Sequence, residues 1–172
     1  PGDQEVITCN GDQIFINDIP VGTGPLGVIP AVNFLTWSSR NYRGIFVITV
    51  QNGKLQLINR LEMEEYLQGV VPREVSPGWP AAVLKAQAIA ARTYTYSSLK
   101  RHKENNFDLC ATDHCQVYGG ASAEYSSTNQ AVLETKGQVL AYKGKMIGAF
   151  YHSSSGGYTE DAANTWGYGS PY

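Results

Sequence analysis

Apolar positions in the first 60 residues fall in short runs and not at helical spacing. Ile14-Phe15-Ile16 is one such run, and a Gly- and Pro-rich stretch follows from Pro20 to Pro30. Ile45 to Val50 is β-branched and aromatic, and Lys54-Leu55-Gln56-Leu57-Ile58 alternates polar and apolar, with Gln51-Asn52-Gly53 between them. Asn and Gly tolerate the positive φ of a tight turn, so this pattern predicts a β-hairpin across Asn52-Gly53. The periodicity changes after residue 60. Leu61, Tyr66, Leu67 and Val70 recur among acidic residues and predict a short helix from Leu61 to Val70. Three prolines and a glycine between Val71 and Pro80 are expected to break it. From Pro80 the chain reads Ala81-Ala82-Val83-Leu84-Lys85-Ala86-Gln87-Ala88-Ile89-Ala90-Ala91-Arg92-Thr93-Tyr94. Pro80 suits a first helical turn, and the alanines carry high helix propensity. Lys85 and Arg92 are the charged residues in this run, so most of its circumference is apolar or small. That predicts a buried central helix.

Beyond it, a polar loop is expected from Lys103 to Gly120. Ser122 is expected to begin a third helix, with Glu124 in the first turn where a carboxylate complements the dipole, and Lys136-Gly137 closing it. Gln138 to Tyr142 and Met146 to Tyr151 predict a second hairpin across Lys143-Gly144, and the chain from Ser153 onward reads as loop. Hairpins set apart from helices point to an α+β fold and not to alternating βαβ units. The expected architecture is β-hairpins around a buried central Ala-rich helix, with a smaller N-terminal β lobe. Residues 1–57 would form the β-rich portion and 58–172 the core of one continuous domain.

Composition sharpens this picture in a few places. A chain of 172 residues can bury a sizeable core. Charged residues make up 16%, below the usual quarter, and there are 11 tyrosines. Hydroxyls and aromatic rings suit a surface that meets carbohydrate, and they equally suit a tyrosine-rich core. A net charge of −2 without a basic stripe argues against nucleic acid, whose phosphates need clustered Lys and Arg. No apolar run approaches the roughly 18 residues needed to cross a membrane. The chain opens at Pro1 and stops at Pro171-Tyr172 as an excised piece does, so a missing export signal carries no information about compartment.

Three constellations could carry chemistry. Glu74 stands among prolines and apolar residues just before the central helix. An acid in an apolar cleft has its pKa raised by desolvation and can deliver a proton to a leaving oxygen near neutral pH. The plainer reading is a solvated loop glutamate beside Arg73. The second is Ser153-Ser154-Ser155-Gly156-Gly157-Tyr158-Thr159-Glu160. His152 and Ser153 are adjacent, and on a strand adjacent side chains point to opposite faces, which makes a poor dyad. No Gly-x-Ser-x-Gly elbow is present either. A hydroxyl- and amide-rich loop that binds a polar ligand and a plain flexible loop both remain open. The third is His102, Cys110, His114 and Cys115. Two imidazoles and two thiols suit a tetrahedral zinc, and four protein ligands would leave no position for water, making the metal structural. A Cys110–Cys115 disulfide competes with it, and the odd third cysteine, Cys9, has no assigned role. The pattern of a zinc deaminase, His-x-Glu with a downstream Pro-Cys-x-x-Cys, is missing.

Four stretches taken together resemble one known family. They are Leu61-Glu62-Met63-Glu64-Glu65-Tyr66-Leu67-Gln68-Gly69-Val70-Val71-Pro72-Arg73-Glu74, then Leu84 to Tyr94, then Gln116-Val117-Tyr118-Gly119-Gly120, then Tyr151 to Glu160. In this order, over roughly residues 58 to 166, they resemble the SpoIID/LytB family. The resemblance implies a lytic transglycosylase acting on peptidoglycan strands whose stem peptides have been removed, outside the cytoplasm, with Glu74 as the catalytic acid. Arg73 and Val75 depart from the Ser and Met that most relatives carry beside that acid. LytB-type members are described as enhancers of a cell-wall amidase, so the same resemblance admits a non-catalytic glycan-binding module that stimulates an amidase. It further implies that His102, Cys110, His114 and Cys115 hold a structural zinc, with no cofactor needed for catalysis. Gln87 and Arg92 are expected to line the cleft or brace its loops, and bracing suits Arg92 better because a buried guanidinium needs several acceptors. Ser153, Ser154, Gly156 and Gly157 are expected to hold the sugar. A zinc hydrolase built on the His/Cys cluster is a third reading, and it would lose activity to chelators but not to Glu74→Gln.

Overall fold

The computed structural model describes residues 4–167. Residues 168–172, the end of the expected 58–172 core, lie outside them. The fold is α+β, with antiparallel pairing throughout. Three strands, β1 (Ile7–Asn10), β2 (Gln13–Ile16) and β3 (Ile19–Gly22), form one small sheet in that order. β4 (Leu26–Val28) pairs with β7 (Ile45–Gln51), which pairs with β8 (Lys54–Arg60). Between them β5 (Leu35–Trp37) and β6 (Arg40–Tyr42) make a short hairpin.

The β7–β8 hairpin has the expected register, Gln51 opposite Lys54, and both turn residues take positive φ, 52° at Asn52 and 69° at Gly53. That left-handed pair matches the right-handed twist of the flanking strands. Two other tight turns use Asn17-Asp18 and Ser38-Ser39 in the same conformation without any glycine.

Helix α1 (Met63–Glu74) carries Leu67, Gly69, Val70 and Val71 on its buried face. It was expected to stop at Val70, yet it continues through Pro72 for another turn. The proline forfeits one backbone bond within the helix. Val70 and Val71 are completely buried in the core, and the Val75 N–H closes the last turn on the Val71 carbonyl. Burial of these two side chains offsets the missing bond. Helix α2 (Ala81–Ser97) begins at Pro80 as expected and runs one turn longer. Leu84, Ala88, Ala91, Arg92, Thr93, Tyr94 and Thr95 are buried along it. Small residues at 88 and 91 let α1 and α2 close on each other, and Val132 of α3 (Ser126–Glu134) completes the same core.

The third helix starts later than expected. Ala121–Ala123 is a short 3-10 turn, and Glu124 precedes α3 instead of occupying its first turn. Its carboxylate is engaged elsewhere: Arg43 donates to it from Nε at 2.7 Å and from Nη2 at 3.0 Å, which ties the β lobe to the helices. The second hairpin turns at Lys143-Gly144 as expected, but only β9 (Ala141–Tyr142) and β10 (Lys145–Met146) pair. A short helix, α4 (Ala162–Trp166), follows the Ser/Gly-rich stretch, where a continuous loop was expected. Asp161 caps it by accepting from the Ala163 N–H at 2.7 Å. No helix among the described residues is long and apolar enough to cross a membrane.

Candidate functional site

Glu74 is the last residue of α1 and sits at half burial against the segment that follows the His/Cys cluster. That segment packs tightly along α1. A side chain at Gly69 would place its Cβ 2.5 Å from the Tyr118 ring, so only glycine lets Tyr118 lie here. The Gly119 N–H donates to the Gly69 carbonyl at 3.0 Å. One turn further along, the Val117 backbone N–H faces the Glu74 carboxylate and favours its ionised form.

Burial pushes the Glu74 carboxyl above the usual range, and the Val117 hydrogen bond and the neighbouring Arg73 charge offset this only in part. Its position at a helix C-terminus, the negative end of the dipole, acts in the same direction as burial. No second carboxylate is among the charged groups that act on it in the described residues. The site therefore offers one acid that holds its proton more firmly than an exposed glutamate.

Gln116, beside Val117, is buried and central to a polar network. Its Oε1 accepts from the Thr95 hydroxyl at 2.7 Å and from Tyr66 at 3.4 Å, and its Nε2 donates to the Tyr151 hydroxyl at 2.9 Å. Tyr151 packs edge-on to Tyr94 of α2, and its ionisation is opposed first by burial and then by the Glu74 charge. The reading of the sequence placed Gln116 and Tyr151 in matching stretches but gave them no role. A glutamine framed by apolar and aromatic residues is a weak signal until the fold shows what it touches.

The other expected site residues fall in different places. Gln87 lies two turns before Tyr94 on the same stripe of α2, and its Nε2 is buried with no hydrogen-bond partner among the described residues. Arg92 is completely buried. Its guanidinium donates to both carboxylate oxygens of Glu64, at 3.0 Å and 2.6 Å, and to the carbonyls of Gln138 and Val132, each at 3.1 Å. These bonds tie α2 to α1 and to the chain around the end of α3. Ser153, Ser154, Gly156 and Gly157 form an exposed loop in which the Gly156 N–H donates to the Ser154 hydroxyl at 3.4 Å. Gly156 and Gly157 take positive φ, at 65° and 106°.

The four candidate metal ligands do converge. His102, Cys110, His114 and Cys115 bring one ligand atom each within 4.8 Å of the others. His102 Nε2 lies 3.3 Å from Cys115 Sγ, and His114 Nδ1 lies 3.5 Å from Cys110 Sγ and 3.6 Å from Cys115 Sγ. A tetrahedral zinc bonded at about 2.0–2.1 Å to nitrogen and 2.3 Å to sulfur has N···S edges of about 3.5–3.6 Å, so the residues present fit it. Both cysteines are free thiols. Burial alone would push the Cys110 thiol up, but hydrogen bonds from Thr112, His114 and Cys115 outweigh it and bring it down to about 6. Burial pushes the Cys115 thiol up. Cys9 stands outside this group, its thiol 3.6 Å from the Gly53 carbonyl.

A cavity of about 730 Å³ lies at the other end of α1, against Met63, Tyr66, Trp37 and Phe107, and does not include Glu74. Cavity size and chemistry thus point to opposite ends of the helix.

Comparison with known proteins matches residues 51–142, more than half of the chain, to the SpoIID family model, described as stage II sporulation protein. The chain belongs to the SpoIID family. It is 34% identical over 134 residues to stage II sporulation protein D of Bacillus subtilis, which covers 68% of this chain and 38% of that protein. It is 44% identical over 106 residues to the amidase enhancer of the same organism, 62% of this chain and 14% of that protein. An uncharacterised protein of Brachyspira hyodysenteriae is 39% identical over 138 residues, covering 80% of this chain and 38% of that protein. The chain thus spans well under half the length of each of these relatives.

Proposed function

We propose that this SpoIID-family chain is a peptidoglycan lytic transglycosylase that cuts the MurNAc–GlcNAc bond of glycan strands lacking stem peptides. The observation that carries the reading is Glu74: a single half-buried carboxyl, held above its ordinary range, with no second carboxylate acting on it among the described residues. Most glycoside hydrolases need two carboxylates, one as acid and one as base or nucleophile. A lytic transglycosylase needs one, because the substrate supplies its own nucleophile. Protonated Glu74 donates to the glycosidic oxygen as the bond from the MurNAc anomeric carbon to that oxygen breaks. The 6-hydroxyl of the same MurNAc attacks the anomeric carbon, and the Glu74 carboxylate takes the hydroxyl proton. The products are a 1,6-anhydro end and a free GlcNAc hydroxyl, and Glu74 returns to its starting state.

Burial serves both halves of this cycle. It keeps the proton on Glu74 until a leaving oxygen arrives, and it makes the resulting carboxylate a willing base. The unspent donor of Gln87 and the 153–157 loop are the groups we assign to holding the sugar. His102, Cys110, His114 and Cys115 would hold a structural zinc, which would clamp the loop leading into Gln116 and Val117 and take no part in proton transfer. The substrate of such chemistry lies outside the cytoplasm, and we propose that the protein works there, at the cell wall.

The test is mass spectrometry of products after incubation with amidase-treated peptidoglycan, wild type beside Glu74→Gln. Anhydro-ended fragments from the wild type, reduced about 10²–10⁴-fold or more in the variant, are expected for loss of a general acid–base. Comparable products from both would end the single-acid mechanism. The likeness to an amidase enhancer favours one second reading, a glycan-binding module that stimulates an amidase. It predicts bound glycan, no anhydro ends, and faster amidase turnover when this chain is added.

A further inference from the structure

Gln116 divides its hydrogen bonds between two neighbours of opposite need, and this fixes which way Tyr151 faces. Gln116 Nε2 lies 3.4 Å from the Ala91 carbonyl, an acceptor, and 2.9 Å from the Tyr151 hydroxyl. Turning the amide over would set Oε1 against the Ala91 carbonyl, two acceptors face to face. The Tyr66 hydroxyl points its donor at Oε1, and the Thr95 hydroxyl divides its single proton between Oε1 at 2.7 Å and the Ala91 carbonyl at 2.8 Å. With Nε2 donating to it, the Tyr151 oxygen is an acceptor, and its own proton is left over. The Tyr151 hydroxyl donates no hydrogen bond among the described residues.

The place of this unspent donor matters. Gln116 holds Tyr151 through its side chain, and the backbone N–H of the very next residue, Val117, faces the Glu74 carboxylate. The phenol and the acid are thus tethered to adjacent residues of one segment. Tyr94 closes the far side of the Tyr151 ring, and Arg73 is the cation beside Glu74. Tyr151 is partly exposed, so this donor is open to a ligand from outside, and one rich in acceptor oxygens would satisfy it.

We propose that Tyr151 is a further substrate-contacting residue beside Glu74, donating its hydroxyl proton to an acceptor oxygen of the bound N-acetylated sugar. This rests on the glycan reading above. Burial pushes the Tyr151 phenol up to about 12, so it keeps the proton it is to donate across the working range. Glu74 then spends its own proton on the leaving oxygen alone, while Tyr151 orients the ring.

The experiment uses oligosaccharides from amidase-treated peptidoglycan in two arms. Calorimetry measures their binding to Glu74→Gln and to Glu74→Gln with Tyr151→Phe. Kinetics compare cleavage by the wild type and by Tyr151→Phe alone. Phenylalanine keeps the ring against Tyr94, so the melting temperature should hold. Loss of one neutral hydrogen bond to sugar should weaken binding about fivefold and lower kcat/KM by at least as much. Equal binding and equal kcat/KM would overturn the proposal and would mean the Gln116 amide is turned over, with Tyr151 donating to it. Binding without cleavage in every variant would retire the transglycosylase yet leave the Tyr151 comparison readable in the binding arm. Glycan neither bound nor cut by any variant would overturn both.

Discussion

Two charged side chains on the paired helices are treated in opposite ways. Arg92 of α2 is completely buried, and its guanidinium is bonded to Glu64 and to the carbonyls of Val132 and Gln138. Glu74 of α1 is half buried, and among the described residues only the Val117 N–H and the Arg73 charge favour its ionised form. The first arrangement repays desolvation with geometry, using a fork of donors matched to a carboxylate and to helix-end carbonyls. The second leaves desolvation largely uncompensated, which strengthens the carboxyl's hold on its proton. A charge that holds a fold together is surrounded by partners, and a charge that does chemistry is kept short of them.

The largest way to break this contrast is at Arg92. Arg92→Leu leaves Glu64 facing a buried apolar group and should cost about 3–5 kcal/mol, measured as a lower denaturant midpoint. Adding Glu64→Leu should recover part of that loss, because the orphaned carboxylate is then gone. If Arg92→Leu costs less than about 1 kcal/mol, the pair is no brace and its bonds are incidental.

The His/Cys cluster tests a third solution, polar groups satisfied from outside the chain. If zinc binds the folded state alone, a free concentration of 100 times its Kd should stabilise the protein by about 2.7 kcal/mol. The gain should disappear with a chelator and in Cys110→Ser. A melting temperature indifferent to zinc would retire the clamp and leave the convergence of four ligand atoms without a purpose.

A smaller test lies in the network between the two charges. Thr95→Val removes the hydroxyl that lies 2.7 Å from Gln116 Oε1 and leaves the Tyr66 hydroxyl at 3.4 Å. It should cost about 1 kcal/mol of stability and should weaken glycan binding less than Tyr151→Phe does. A larger effect on binding than on stability would place Thr95 in the cleft itself.

How much of this was visible in the sequence depends on whether the cause is local. Asn52-Gly53 and Lys143-Gly144 announced their turns because a glycine marks left-handed backbone, whereas Ser38-Ser39 adopts the same conformation with no such mark. Helix α2 was legible because alanine propensity and an apolar circumference agree. The last turn of α1 was not, since Pro72 argues locally against a helix that core burial of Val70 and Val71 sustains. Glu124 looked like a first-turn carboxylate, but Arg43, distant in sequence, claims it. The same division runs through the site. Glu74 was visible as a candidate acid beside a plainer reading, and His102, Cys110, His114 and Cys115 as a candidate ligand set beside a disulfide. Their supporting shell of Gln116, Val117 and Tyr151 depends on contacts between segments far apart in the chain, which no spacing rule reports.

The smallest prediction is the most direct test of the contrast, because its sign is opposite to that at Arg92. Burial raises the Glu74 carboxyl in the folded state above its unfolded value. The folded state therefore binds the proton more tightly, and the chain pays for ionisation as pH rises through the folded value. Below the unfolded value, both states are protonated and no penalty exists. Above the folded value the full penalty applies, so wild-type stability carries a deficit there. Glu74→Gln removes the titration while keeping the shape. The variant should melt higher than the wild type at neutral pH and above, by a margin well under the loss at Arg92, and the two should converge in acid. A variant that melts lower at neutral pH would mean that the ionised carboxylate is a net stabiliser. Glu74 would then belong with Arg92 as a satisfied structural charge, and the argument for a proton held in reserve would fail with it.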